Sequence, residues 1–498
     1  MKQIQPEETL DPADWEPLRR TAHAVVDDAV TYLAEIRDRP VWSDMPQTVR
    51  QGFCQPVPQT GAPLETVYDE LKSSLLPYPM GNIHPRFWMW YMGASNFTGA
   101  LGDFLAAIVG SNLGGGNHAA ALIDWQVTDW LRQMVGFPAG ASGTLTSGGS
   151  VANLIGLTVA RNEAIGQDRI RESGLQGARL AFYSSDQAHG CHLTAMEMLG
   201  LGRSALRRLP SRGDFTLDLQ ALEEAIARDR AEGIQPVAII ANAGTINTGA
   251  IDDLPGIADI AAQEELWFHI DGCIGALAAI APRNGGKLAG LDRADSVALD
   301  PHKWLHALFE VGCCLVRDAA RHLGTFTLSQ AYLEQETRGV AAAEWLHDYG
   351  FQTSRGFRAL KVWMSLKEHG VAKFGRLIDQ NIAQAAHLAE LIRTEPDMEL
   401  LAEPVLNIVC FRLRPAGLTE DECEALNREI MLRLQETGTA ALSDTKVQSK
   451  YALRCAIANH RTRTSDLHLL IAAIRDRLRE LQGGTGQSFG EPSPENGT

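Results

Sequence analysis

Apolar and polar positions divide the chain into stretches of different character. Residues 1–96 mix helical spacing with proline-rich connections such as QPVPQTGAP and LLPYP. So many prolines cannot sit inside one regular element, and the stretch reads as an arm wrapping something larger. From 97 to 362 short β-rich runs alternate with helical segments. The runs are RLAFYSS (179–185), PVAIIANAG (236–244), LWFHID (266–271), SVALD (296–300) and CCLVRD (313–318). Between them lie helical patterns such as LDLQALEEAIARDRAEG and LPGIADIAAQEE. This alternation predicts an α/β domain: a mostly parallel sheet with helices on both faces. Residues 363–482 read as helix, then strands (VLNIVCFRL, KYALRCAIA), then a final helix (LHLLIAAIRDRLRELQ), a smaller C-terminal α+β domain. Residues 483–498, rich in Gly, Ser, Pro and Glu, predict a disordered tail.

In parallel α/β folds ligands bind beyond the carboxyl ends of the strands, so the residues there matter most. Asp271 closes LWFHID, His302 and Lys303 follow SVALD-Pro, Thr245 follows PVAIIANAG, and His189 follows RLAFYSS in SSDQAHGC. Each alone has an ordinary reading as a turn cap, a packed ring or a surface amine. Together they put an amine, a carboxylate, an imidazole and a hydroxyl on one sheet edge. An amine whose pKa is lowered by burial or a nearby cation condenses readily with an aldehyde. A carboxylate can keep a ring nitrogen protonated, an imidazole can stack on a ring face, and a hydroxyl can bond a ring oxygen. Ser147-Gly148-Gly149-Ser150 lead into a helical pattern, which offers free N–H groups and a helix dipole to a phosphate.

Composition narrows the classes further. The 498 residues are 45% hydrophobic and carry a net charge of -16, which argues against a nucleic-acid partner. The first residues lack a basic stretch followed by an apolar run, and no apolar run is long enough to cross a bilayer. The eight cysteines are scattered apart from Cys313-Cys314, with no metal-ligand spacing, so no metal is expected and a reducing cytoplasm is. No glycine-rich nucleotide fingerprint follows a predicted strand.

HPRFW (84–88), SGGSVAN (147–153), SSDQAH (184–189), AGT (243–245), WFHIDG (267–272), ADSVALDPHKWL (294–305) and RGFRALKVW (355–363) occur in that order. In these the chain resembles the group II pyridoxal phosphate (PLP) dependent decarboxylases, the family of aromatic-L-amino-acid, histidine and glutamate decarboxylases. The resemblance implies fold type I, the aspartate aminotransferase-like PLP-dependent transferase fold. It also implies decarboxylation of an L-amino acid to amine and CO2, and a homodimer whose N-terminal segment packs on the partner. Lys303 would hold PLP as a Schiff base, Asp271 would pair with the pyridine nitrogen, and His189 would stack on the ring. Gly149 and Ser150 would contact phosphate, with His302 near the cofactor and Cys273 under the ring opposite His189. Tyr332, about thirty residues past the lysine in a polar Gly-containing loop, matches the tyrosine that protonates Cα.

The chain departs from the family pattern at Ile246, at Gly272-Cys273 and at Gly93, where relatives often have threonine, Ala-Ala and threonine. The Asp-Gly-Cys pattern also resembles sphingosine phosphate lyases. The substrate pocket is expected around Trp88, Trp90, Tyr91 and Gly93, with Phe87 nearby, and this aromatic run favours an aromatic substrate. The alternatives are an acidic or aliphatic amino acid, with Arg86 as a candidate anchor, a carbon–carbon lyase, or an aldehyde synthase. A non-catalytic PLP- or nucleotide-binding protein is the reading outside enzymes; retention of Lys303, Tyr332 and His189 speaks against it.

Overall fold

The computed structural model describes residues 8–327 and 336–483. Seven strands build the main sheet: β1 (Ser142–Thr146), β2 (Leu180–Ser185), β3 (Leu206–Leu209), β4 (Gln235–Asn242), β5 (Trp267–Asp271), β6 (Ser296–Leu299) and β7 (Gly312–Val316). Their spatial order is β1-β7-β6-β5-β4-β2-β3. The pairs from β6 to β3 are parallel, and β7 runs antiparallel to both β6 and β1. The sheet is therefore mostly parallel, with CCLVRD supplying the strand that reverses. Its strands are buried on both faces, which is why they read as apolar runs without alternation. Tyr183, Ile239, Phe268 and Val297 point into one apolar cluster, and Phe182, Ile240, Trp267 and Ala298 into the other. β1 and β3 do not stand out in the apolar pattern. β1 lies in GTLTSGGS, which reads as a glycine-rich approach to a helix, and β3 is only LRRL, with a partly exposed middle.

A second sheet of β8 (Met398–Ala402), β9 (Ile408–Leu413), β10 (Ser443–Val447) and β11 (Lys450–Ala456) is antiparallel throughout, in the order β10-β11-β9-β8. Its own core includes Leu388, Phe411, Ile430, Leu453 and Leu470, from the sheet and the helices Val371–Thr394, Glu420–Glu436 and Thr464–Gly483. The helix Ala359–His369 spans the 362/363 boundary drawn from sequence and is tied to the helix Phe97–Val109 by Lys361 Nζ on Asp103 Oδ2 at 3.1 Å.

The N-terminal helices Trp15–Ala34 and Leu64–Ser74 bury no residue, although Tyr68 and Lys72 both reach Asp28, at 2.8 and 2.7 Å. With the helix Phe97–Val109 they line an apolar groove of about 960 Å³ that includes Val25, Val67, Leu71, Phe104 and Ile108. No described helix is long and apolar enough to cross a membrane. The tail from 484 onward lies outside the described residues.

Candidate active site

A cavity of about 280 Å³ opens at the carboxyl edge of the main sheet. β1 runs through Ser147 and Gly148 into the helix Gly149–Ile165, whose Gly148 N-cap (φ 154°) makes no side-chain cap bond. The first N–H groups of that helix therefore have no side-chain acceptor and suit an anion. A Cβ on Gly149 would lie 2.4 Å from Cys273 Sγ and 2.7 Å from Asp300 Oδ2, so only glycine lets the helix start press against the ends of β5 and β6.

Asp271 ends β5 and is buried. Its Oδ2 lies 3.0 Å from His192 Nε2, and its Oδ1 accepts the Cys273 N–H at 3.2 Å. Burial alone would raise its pKa. The bonds from His192 and Cys273 and the charge of Lys303 outweigh burial and hold Asp271 far below the usual carboxylate range. A deprotonated carboxylate thus stands in the cavity.

Lys303 sits in the short helix Pro301–Trp304 that follows β6, its Nζ 3.0 Å from Asp300 Oδ2 and 5.8 Å from the Tyr91 ring centre. The expected lowering of its pKa is not found. Burial does lower it, but Asp300 and Asp271 more than compensate and the amine is held above the ordinary lysine range. Asp300 Oδ1 is buried with no hydrogen-bond partner.

His302 takes the Val311 N–H on Nδ1 at 3.3 Å, which leaves the proton on Nε2, 3.7 Å from Asp300 Oδ2. Burial lowers its pKa, and Phe309 packs on its ring at 4.7 Å. His189 is exposed at the cavity mouth, and its Nδ1 accepts the Cys191 N–H at 3.1 Å. Burial pushes the Cys273 thiol well above its usual value, so it faces the cavity as a neutral group.

The cavity thus collects Lys303, Asp271, His189, His302, Gly149, Ser150 and Cys273. Other expected members are placed elsewhere. Thr245 does not line it; its hydroxyl bonds Thr248 at 3.0 Å and accepts the Ala250 N–H at 3.1 Å, closing its own turn. Trp88 is fully buried in the core of the smaller domain, with Nε1 on Thr462 Oγ1 at 3.3 Å and its backbone paired to Ala441 and Ala456. Trp90 is exposed and outside the cavity lining, its N–H on Ser443 Oγ at 3.3 Å. Gly93 supports the site from behind, since a Cβ there would come 2.0 Å from the His302 carbonyl oxygen. Tyr91 is buried with its hydroxyl on Asn407 Oδ1 at 3.1 Å; its ring comes within 5.8 Å of Lys303 Nζ, but it does not line the cavity. Tyr332 lies outside the described residues.

Asp300 and His192 are not among the residues that the sequence pattern singles out. The signals were present: Asp300 ends SVALD three residues before Lys303, and His192 follows His189 by three.

PLP has an aldehyde, a basic ring nitrogen and a phosphate dianion. The cavity matches them with an amine, a buried ionised carboxylate and an uncapped helix start, so the residues present fit the cofactor. Comparisons with known proteins agree. The pyridoxal-dependent decarboxylase conserved domain matches residues 46–414. The chain is 32% identical to an aromatic-L-amino-acid decarboxylase of Bacillus atrophaeus, over 94% of this chain and 96% of that one. It is 30% identical to tryptophan decarboxylase 1 of Oryza sativa subsp. japonica, over 91% and 92%. The crystal structure of Oryza sativa TDC with PLP and tryptamine superposes with a TM-score of 0.88 at 28% identity, covering 95% of this chain and 100% of that one. The chain belongs to the pyridoxal-dependent decarboxylase family and is a fold type I, PLP-dependent amino-acid decarboxylase.

Proposed function

We propose that this decarboxylase acts on an aromatic L-amino acid, releasing the aromatic amine and CO2. The observation that carries the reading is what stands near Lys303 and His302. The Tyr91 ring stands 5.8 Å from Nζ, Phe309 packs on His302, and no arginine lines the cavity among the described residues. Arg86, the anchor an acidic substrate would need, is engaged elsewhere: its Nε donates to the Thr439 carbonyl at 2.8 Å, and it lies 4.0 Å from Asp466. The names of the similar proteins, aromatic-L-amino-acid and tryptophan decarboxylase, support the same substrate class.

In this reading Lys303 Nζ would hold PLP, Asp271 would keep its ring nitrogen protonated, and His189 and Cys273 would contact the ring. Gly149 and Ser150 bind the phosphate, with His302 beside the cofactor. When bound, PLP supplies an electron sink for the bond to the departing carboxylate. The rings of Tyr91, near Lys303, and Phe309, on His302, would orient the side chain. Tyr332 or a water relay would deliver the proton to Cα, a role carried over from the resemblance.

The active form is a homodimer in which the apolar groove of the N-terminal helices receives a second copy of the chain. Its size and the absence of buried residues on two of its helices support this. A cytoplasmic location accords with eight free cysteines.

Mass spectrometry of amines formed from pooled L-amino acids by PLP-loaded protein tests the substrate. The expected product is an aromatic amine, lighter than its parent by CO2. An amine from glutamate or aspartate would overturn the aromatic assignment, and a monomer by light scattering would overturn the dimer.

A further inference from the structure

We infer that His192 is a positioning residue for decarboxylation, clamping Asp271 so that its charge is directed at the ring nitrogen of PLP. This role rests on the reading of the carboxyl-edge cavity as the PLP site.

His192 lies in the first turn of the helix Cys191–Met198 and is fully buried. Nε2 is 3.0 Å from Asp271 Oδ2, whereas Nδ1 is buried with no hydrogen-bond partner. A proton on Nε2 satisfies the carboxylate, so His192 is the donor in this pair.

Asp271 then accepts one N–H on each oxygen, from His192 on Oδ2 and from the Cys273 backbone on Oδ1 at 3.2 Å. The carboxylate torsion of an aspartate is soft, and two fixed donors on different oxygens remove that freedom. His192 therefore orients the carboxylate.

The test compares His192→Gln, whose amide nitrogen can occupy the place of Nε2, with His192→Asn, whose shorter amide reaches only the place of Nδ1. PLP affinity of the apoprotein, kcat and KM, and the 15N chemical shift of bound 15N-labelled PLP are measured in each. H192Q is expected within about threefold of wild type in affinity and kcat, with the ring nitrogen still protonated. H192N is expected to lose about tenfold or more in affinity and kcat at little change in KM, its 15N signal moving toward the unprotonated ring. Wild-type values in both variants, or equal losses in both, overturn the role of His192. If H192N does not fold, H192Q decides alone: a retained 15N shift supports donation from the Nε2 position, and a moved one overturns it. Wild-type protein that binds no PLP would overturn the cofactor reading as well.

Discussion

The main sheet has a cavity at each edge, and the two differ in how their polar groups are used. The carboxyl-edge cavity, about 280 Å³, holds Lys303 and the buried pair Asp271 and Asp300, with Asp300 Oδ1 unpartnered. The amino-edge groove is larger, about 770 Å³, and is lined by more charged side chains, among them Asp295, Arg293, Arg317 and Arg321. Four of these charges are already engaged. Asp295 accepts the Phe268 N–H at 2.8 Å, Arg317 donates to the Ala294 carbonyl at 2.8 Å, Arg321 pairs with Glu163 at 3.3 Å, and Arg293 pairs with Asp259 at 2.7 Å. Volume and charge count do not mark a reactive site. Buried groups that converge and retain unused bonding capacity do.

The sharpest way to break this contrast is Lys303→Ala. Turnover should fall by at least about a thousandfold, because no other amine lines the cavity among the described residues. Residual turnover near wild type in a steady-state amine assay would move the chemistry elsewhere.

Gly149→Ala comes next. The added methyl meets Cys273 Sγ and Asp300 Oδ2 at distances no relaxed packing allows, so the helix start must shift. A loss of about 1–3 kcal/mol in stability is expected on thermal unfolding, together with weaker PLP binding by titration. Unchanged PLP affinity would separate Gly149 from the phosphate.

Acid sensitivity sharpens the picture of what lies beneath the cavity. His269 of β5 is fully buried, with Nδ1 on Ser296 Oγ and Nε2 on Asn153 Oδ1, both at 2.7 Å, and Asn153 Nδ2 in turn donates to the Gly149 carbonyl at 2.9 Å. Burial holds His269 down to about 3 and His322 down to about 4, against the ordinary 6.5. Below 6.5 the unfolded chain takes up protons that the folded chain refuses. Stability is therefore intact above 6.5 and declines as pH falls toward about 4. A melting temperature that stayed flat from pH 7 to 4.5 would contradict this.

The smallest effect belongs to the other edge. Arg293→Ala removes an exposed ion pair and should change stability by less than about 0.5 kcal/mol, leaving kcat as it was.

What was legible in the sequence follows from the same contrast. Asp271, His302, Lys303 and His189 each follow closely on a strand that reads clearly as apolar, so the α/β rule alone gathers them on one edge. The clamp on Asp271 was not legible, because His192 and Asp271 meet only when β2 and β5 are placed in one sheet. Thr245 was misjudged because the turn to Ala250 folds its hydroxyl back on its own backbone. The run WMWYM contains one residue for the core of the smaller domain (Trp88), one exposed residue (Trp90) and one whose ring stands near Lys303 (Tyr91). Local composition cannot tell these apart, since each destination requires the backbone pairing of Trp88 with Ala441 and Ala456.

The most direct test is to reduce PLP-loaded protein with borohydride and map the modified peptide by mass spectrometry. The account predicts a single phosphopyridoxyl group on Lys303. A label on another lysine, or none in protein that has bound PLP, would contradict it.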